Sequence, residues 1–421
     1  MARILSREKV KSVVNLIYSN RVILIVVLLG ILLRVILMPF TIHHDILSSI
    51  WRGTLLVFEG SYRISHLPEL IMAAYIFFMK SFLPHLPDLL GSHSGLTIAP
   101  DHGVYFNFLE SIYSHRYVFI VKSVFLMVDL LMLVTILKST LKKHLPVIIF
   151  WAINPFILYS AYLWGRFEII PIYFMLLSMI SSSKEMKWQA IIFAGLAVSS
   201  RINFLIYFLP LIIFISDSKK DYVKYLIAGL TPYFITSLFT KLLIESYSGI
   251  NGGFQEYLFS SSFGQGFNSI SLFPIAVFII IYFMIKDKKS QELDYKKYLF
   301  YTGIMISSYF AFTFFHPQWL AWLTPIAIMY IYYERKSIYT LMIMFVLFFV
   351  FIDSYWGPYT STYLLFEASN PDFAKSFFSI KFQLLGKYSD QTLITVFHTM
   401  FILSLILLNM QLKVKLYDKK K

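Results

Sequence analysis

The sequence predicts an all-α protein, a polytopic membrane bundle of about 12 spans with a long first outer loop. Three observations predict it. Apolar runs of about 20 residues recur along the chain, the length a helix needs to cross hydrocarbon while satisfying its own backbone. The composition is 58% hydrophobic and 14% charged, with a mean hydropathy of +0.68, whereas soluble domains are about a quarter charged. The basic residues are segregated: the segments expected on the inner side carry 25 of the 37 Lys and Arg but only 9 of the 23 acids. This is the positive-inside bias, and it accounts for a formal charge of +14 without a nucleic-acid partner. Cysteine is absent, which excludes disulfides and thiol chemistry.

Residues 1–21 form a basic cytoplasmic lead. The first span, Val22–Phe40, is too long for a signal-peptide core and lacks a small-residue cleavage site, so it is retained. Residues 41–115 then form an outer segment holding seven of the ten histidines. Within it, Pro68–Phe82 is apolar but short, as expected of a re-entrant or interfacial helix. Apolar length and Lys/Arg clusters place the remaining spans at 116–137, 145–163, 167–183, 188–200, 202–216, 222–243, 270–285, 298–315, 318–333, 338–353 and 393–411. Both termini are then cytoplasmic. The short pair 188–200 and 202–216 flanks Arg201 and suits a broken pair lining a cavity. Outer loops fall at 244–269 and 354–392. The first module is thus 22–335; residues 336–421 add C-terminal spans and a basic tail.

Charge at a helix centre costs roughly 2.5–3.5 kcal/mol on insertion scales, so each polar site in these spans needs a partner or a task. The stretch I-H-H-D-I-L-S-S-I-W-R at 42–52 puts His43, His44 and Asp45 just past the first span, with Arg52 downstream. Asp45 suits a general base; His43, His44 and Asp45 together also suit a divalent cation such as Mg or Mn, though no metal is firmly implied. The ordinary alternative is a polar cap on the span. In Asn154-Pro155-Phe156 the proline breaks a span. In Trp164-Gly165-Arg166-Phe167-Glu168 the glycine then turns the chain, placing Arg166 and Glu168 at the outer surface; the ordinary alternative is a turn with an exposed ion pair. His316-Pro317-Gln318-Trp319 opens a span and offers groups for a phosphate or a sugar hydroxyl, or a capped hairpin with a Trp in the aromatic belt. Arg201 either neutralises a lipid phosphate or snorkels, and Arg34 either meets an anion or snorkels. Lys122 and Asp129, seven residues apart on one helix face, suit structural pairing with neighbouring helices.

The order of these motifs resembles the GT-C superfamily of integral-membrane glycosyltransferases. The likeness is greatest to the polyprenyl (dolichyl) phosphate-sugar-dependent enzymes, mannosyltransferases among them. H-H-D at 43–45 follows the first span, with Trp51 downstream. R-Y-V-F-I-V-K-S-V-F-L-M-V-D-L-L at 116–131 resembles the family's Lys/Arg…Asp-Leu-Leu span. N-P-F…W-G-R-F-E at 154–168 resembles its N-P…W-G-Q-F-D, and F-H-P-Q-W-L-A-W-L-T-P at 315–325 its H-P-Q-Y/W…L-P run. Arg166 and Glu168 stand where Gln and Asp are commoner, and Asp45 is a lone acid rather than a D-x-D or D-x-E. The resemblance implies transfer of a monosaccharide, mannose favoured, from a polyprenyl-phosphate donor to a lipid, glycan or protein acceptor on the outer face, with inversion. Asp45 would be the base. His43, His44, Arg52, Trp164, Arg166, Glu168, Arg201, His316 and Gln318 would bind substrate. Such enzymes reside in the plasma membrane of prokaryotes or the endoplasmic reticulum of eukaryotes. The competing class is a secondary transporter or polyprenyl-lipid flippase, which would show paired halves with broken helices near the midplane. A His-rich metal-binding module is a third reading, disfavoured by irregular spacing.

Overall fold

In a computed structural model the regular structure among the described residues is helical apart from one two-residue antiparallel pair, Ser262–Phe263 with Ile270–Ser271. The structure describes residues 21–41, 43–61, 66–90, 108, 111–139, 145–243, 262–263, 270–313, 316–355 and 390–418. The basic lead and most of the expected loops at 244–269 and 354–392 lie outside the described residues.

The helices follow the apolar runs. They are α1 (Arg21–Phe40), α2 (His44–Thr54), α3 (Leu67–Met79), α4 (Leu86–Leu90), α5 (Ser114–Lys138), α6 (Leu145–Ile153) and α7 (Pro155–Ile157). Then come α8 (Ile169–Ser182), α9 (Lys187–Ser200), α10 (Leu205–Ile215), α11 (Lys219–Leu243), α12 (Leu272–Lys289), α13 (Tyr295–Phe312), α14 (Thr324–Tyr333), α15 (Ser337–Tyr355) and α16 (Asp390–Asp418). Among the described residues four stretches are long and apolar enough to cross a membrane: Arg21–Phe40, Ser114–Lys138, Leu145–Trp164 and Thr395–Leu412.

The sidedness of α1 and α16 is that of helices facing lipid. In α1 the buried face is Ile23, Val27, Gly30, Arg34 and Met38. Its exposed face is Val22, Ile25, Leu28, Leu29, Leu32 and Ile36. In α16 Ser404 and Asn409 are buried while Met400, Leu403, Ile406, Leu407 and Met410 are exposed. Polar groups inside and large apolar groups outside invert the pattern of a water-soluble helix. Asn409 repays its burial by accepting from Tyr330 Oη at 2.6 Å and donating to Ser307 Oγ at 2.9 Å, which fixes α16 against α13 and α14.

One buried ionic network ties α1, α5, α6 and the segment after it. Pro155 has no N–H, so the carbonyl of Trp151 loses its helical donor. Phe156 N–H donates instead to the Asn154 side chain at 3.1 Å, which frees the carbonyl of Ala152 as well. Arg34 fills both vacancies, donating from Nη2 to Trp151 O at 2.6 Å and from Nη1 to Ala152 O at 2.8 Å. Its Nε donates to Asp129 Oδ2 at 2.6 Å, and its guanidinium lies 4.3 Å from the centre of the Trp151 ring. Asp129 also accepts from Trp151 Nε1 at 2.7 Å and Tyr162 Oη at 3.0 Å. Arg34 therefore neither snorkels nor meets a ligand phosphate; its anion is Asp129, and both are 0% exposed. The break expected at Asn154-Pro155 and the charge at Arg34 are two halves of one joint.

Candidate functional site

The site is built where helix ends converge. After α7 the chain continues as a π-helix, Leu158–Trp164, closed by Gly165 in the left-handed region at φ 84°. A Cβ there would also come within 2.8 Å of Ile46 Cδ1 and 3.2 Å of Lys122 Cε, so only glycine lets α2 and α5 approach this turn. Lys122 Nζ reaches in to donate to Tyr162 O at 2.6 Å, to Thr41 Oγ1 at 3.0 Å and to Thr41 O. These contacts pin the end of α1 to the π-helix and so fix where α2, the helix carrying Asp45, begins. Lys122 and Asp129 thus have the structural tasks expected of them.

Next along the chain, Glu168 precedes α8 and is 0% exposed. This corrects the expectation of a surface residue paired with Arg166. Its Oε1 accepts from Arg201 Nε at 3.1 Å and Nη2 at 2.7 Å, and its Oε2 from Trp322 Nε1 at 2.7 Å. The partners are 33 and 154 residues away, too far for sequence to pair them. Arg201 caps α9 in extended backbone and is 16% exposed. Its guanidinium carbon lies 4.8 Å from the centre of the Phe167 ring, and that of Arg166 lies 5.3 Å from the same ring. Two guanidiniums thus lie against one aromatic ring, and that of Arg201 is held by a buried carboxylate.

A 3₁₀ segment, Pro317–Leu323, closes the site and packs against the π-helix. Trp319 stacks on Trp322 with ring centres 5.1 Å apart at 11°, and His316 meets Trp319 edge-on at 5.1 Å. Trp319 is 8% exposed, so it is a packed side chain rather than a belt residue. Gln318 beside it is buried. On the other flank the His43 ring lies 3.9 Å from that of Trp164. His66 lies 6.1 Å from Phe167 and 3.5 Å from Glu69, and Glu69 pairs with Arg52.

The structure therefore brings His43, Arg52, Trp164, Arg166, Glu168, Arg201, His316 and Gln318 into one chain of contacting or adjoining groups. The backbone of His44 and Asp45 starts α2, next to Ile46 at the Gly165 turn; their side chains lie outside the described residues. Among the described residues no group of three or more metal-ligating side chains occurs. Sequence reasoning missed Trp322 and Phe167, and the pairing role of Glu69. The sequence marked Trp322 only as part of the W-L-A-W run. The opposite end of α9 carries Lys187, paired with Asp217, and α12 ends near it with Lys288 on the carbonyls of Ile213, Phe214 and Ser216. One end of this 14-residue helix is basic and the other holds the site, about 21 Å apart.

Removing the Glu168 carboxylate tests its part in this arrangement. Glu168→Ala frees Arg201 from two hydrogen bonds and leaves Trp322 Nε1 without an acceptor. Thermal unfolding in detergent is expected to show a loss of about 2–3 kcal/mol, below the range for a fully buried pair because Arg201 is partly exposed. Glu168→Gln keeps an acceptor for Trp322 and should lose less.

Comparison with protein-family models, with curated proteins and with solved structures gives no match.

Proposed function

We propose that this protein is a GT-C-type membrane glycosyltransferase. It moves a monosaccharide, mannose favoured, from a polyprenyl-phosphate donor to a lipid, glycan or protein hydroxyl. The observation that carries this reading is that Arg166 and Arg201 both lie against Phe167, Arg201 held by Glu168, beside the helix that bears Asp45. The lipid-facing pattern of α1 and α16 supports a membrane bundle, for which apolar length and the Lys/Arg clusters of the sequence give about 12 spans. With the basic end of α9 inside, the site opens to the outer face and both termini are cytoplasmic.

The chemistry follows from charge. The donor is a phosphodiester with one negative charge. Its departing polyprenyl phosphate is a monoester that carries a second. Fixed guanidiniums therefore bind the leaving group more strongly than the donor, and that difference lowers the barrier. Glu168 holds Arg201 by Nε and Nη2, so the cation is oriented before the donor arrives. Asp45 takes the proton from the acceptor hydroxyl. The hydroxyl oxygen forms its bond to the anomeric carbon from the face opposite the phosphate. The carbon–oxygen bond to phosphate breaks, and its electron pair leaves with the polyprenyl phosphate. The configuration inverts. No nucleotide takes part at this step.

The anion-binding half of this reading is tested by equilibrium binding to the full-length protein in lipid nanodiscs. Citronellyl phosphate is expected to bind about tenfold more tightly than citronellyl-phosphate mannose and far more tightly than citronellol, with Arg166→Gln abolishing the preference. Equal affinity for phosphate and alcohol would overturn it. So would a site loaded with equal affinity from both sides of the membrane, as a flippase requires.

A further inference from the structure

At the basic end of α9 an open groove of about 420 Å³ is lined by Glu185, Met186, Lys187, Trp188 and Gln189 on one side and Tyr225 of α11 on the other. It caps the seam between two helices that run in the same direction. Trp188 meets Tyr225 edge-on with ring centres 5.3 Å apart, Gly195 packs so closely on Gly229 that a Cβ there would strike its carbonyl, and Ser199 Oγ lies 3.1 Å from Thr236 Oγ1. Residue numbers rise together along the two helices, and the glycine contact holds them in register below the groove.

The groove combines cations with an exposed ring. Trp188 is 46% exposed, and Lys224 Nζ lies 4.6 Å from the centre of its ring. The two segments that border the groove carry Lys184, Lys187, Lys219, Lys220 and Lys224 against Glu185, Asp217 and Asp221. Asp221 is engaged at the start of α11, accepting from Ser218 N–H at 3.0 Å and Ser218 Oγ at 2.8 Å. Asp217 pairs with Lys187 at the surface, and Glu185 is exposed. A surface pair of this kind contributes little, so Lys187 exchanges it readily for another anion. Beyond the groove both helices become apolar on the outside. Ile192, one turn on from Trp188, is 49% exposed, and Ile227, one turn on from Lys224, is 63% exposed.

We infer that this groove binds an anionic phospholipid of the leaflet at this end, the inner one by the Lys/Arg bias. Lys187 and Lys224 take the headgroup phosphate, Trp188 lies at the depth of the glycerol, and an acyl chain follows Ile192 and Ile227. The order of cation, indole and aliphatic side chains selects the occupant. A soluble phosphate uses the lysines and leaves the ring and the isoleucines uncovered. A zwitterionic lipid covers the apolar groups but brings its own ammonium against the lysines. An anionic lipid meets all three. The inference needs a membrane protein and does not rest on the glycosyl-transfer reading.

The test is native mass spectrometry of the full-length protein in detergent, titrated with phosphatidylglycerol and with phosphatidylcholine of the same acyl chains. The wild type should bind phosphatidylglycerol about tenfold more tightly. Lys187→Gln with Lys224→Gln should bring the two lipids to within about twofold of each other. Arg335→Gln with Lys336→Gln removes the same charge from exposed positions in the α14–α15 turn and should leave the preference intact. Equal loss in both double variants would mean a diffuse basic surface and would overturn the site. So would a wild type that binds the two lipids equally. Displacement of phosphatidylglycerol by millimolar glycerol phosphate would make this a site for a soluble anion, and would overturn it as well.

Discussion

Replacing Asp129 by alanine lowers stability by about 3–5 kcal/mol, the cost of stranding one partner of a fully buried ion pair. Arg34 would keep its carbonyl partners on Gly30, Trp151 and Ala152 but lose its counter-charge. Trp151 Nε1 and Tyr162 Oη would lose their acceptor in the same step. Thermal unfolding in detergent, or protease susceptibility of the membrane-embedded protein, reads the effect. A double substitution separates charge from capping. Arg34→Met with Asp129→Leu removes both charges, so it should recover part of the loss. It should not recover all of it, because the carbonyls of Trp151 and Ala152 then face hydrocarbon without a donor. Full recovery would mean that Arg34 matters only as a charge and that the Pro155 break is satisfied in another way.

Asp45→Asn is expected to slow sugar transfer by roughly 10²–10⁴-fold and leave donor affinity within threefold. The amide matches the carboxylate in shape but cannot take a proton at neutral pH. Among the described residues the buried carboxylates of the site and of the network below it are already engaged. Glu168 accepts from Arg201 through one oxygen and from Trp322 through the other. Glu69 holds Arg52 and faces His66, and Asp129 is sealed within the Arg34 network. An unchanged kcat in Asp45→Asn would remove this residue from the chemistry. A raised KM with unchanged kcat would make it a binding group.

The helices were readable because their signals are local. A run such as Val22–Phe40 states its own length and apolarity, and Pro155 states a break wherever it falls in a helix. The short pair around Arg201 was readable for the same reason: two apolar runs meet at a cation. What was not readable is pairing across the chain. Arg34 and Asp129 are 95 residues apart. Nothing in either neighbourhood says that the missing N–H of Pro155 is what draws the arginine in. Glu168 misled because a glycine turn next to an arginine reads as exposed, whereas the buried carboxylate belongs to Arg201 and Trp322. The motif order along the chain did gather most of the candidate residues, since helix ends at one side of a bundle become neighbours whatever their separation. It could not divide them into groups that bind and groups that hold other groups in place. Arg52 and Glu168, expected to touch substrate, are engaged with Glu69 and with Arg201 and Trp322 respectively.

The most direct test is transfer itself. Membranes containing the wild-type protein are incubated with a panel of polyprenyl-phosphate sugars labelled in the sugar, and the anomeric configuration of the product is determined. Glycosyl transfer at this cluster predicts that label moves from one member of the panel, mannose first among them, with inverted configuration, and that Asp45→Asn membranes do not move it. Transfer from no donor, or a product of retained configuration, would contradict it.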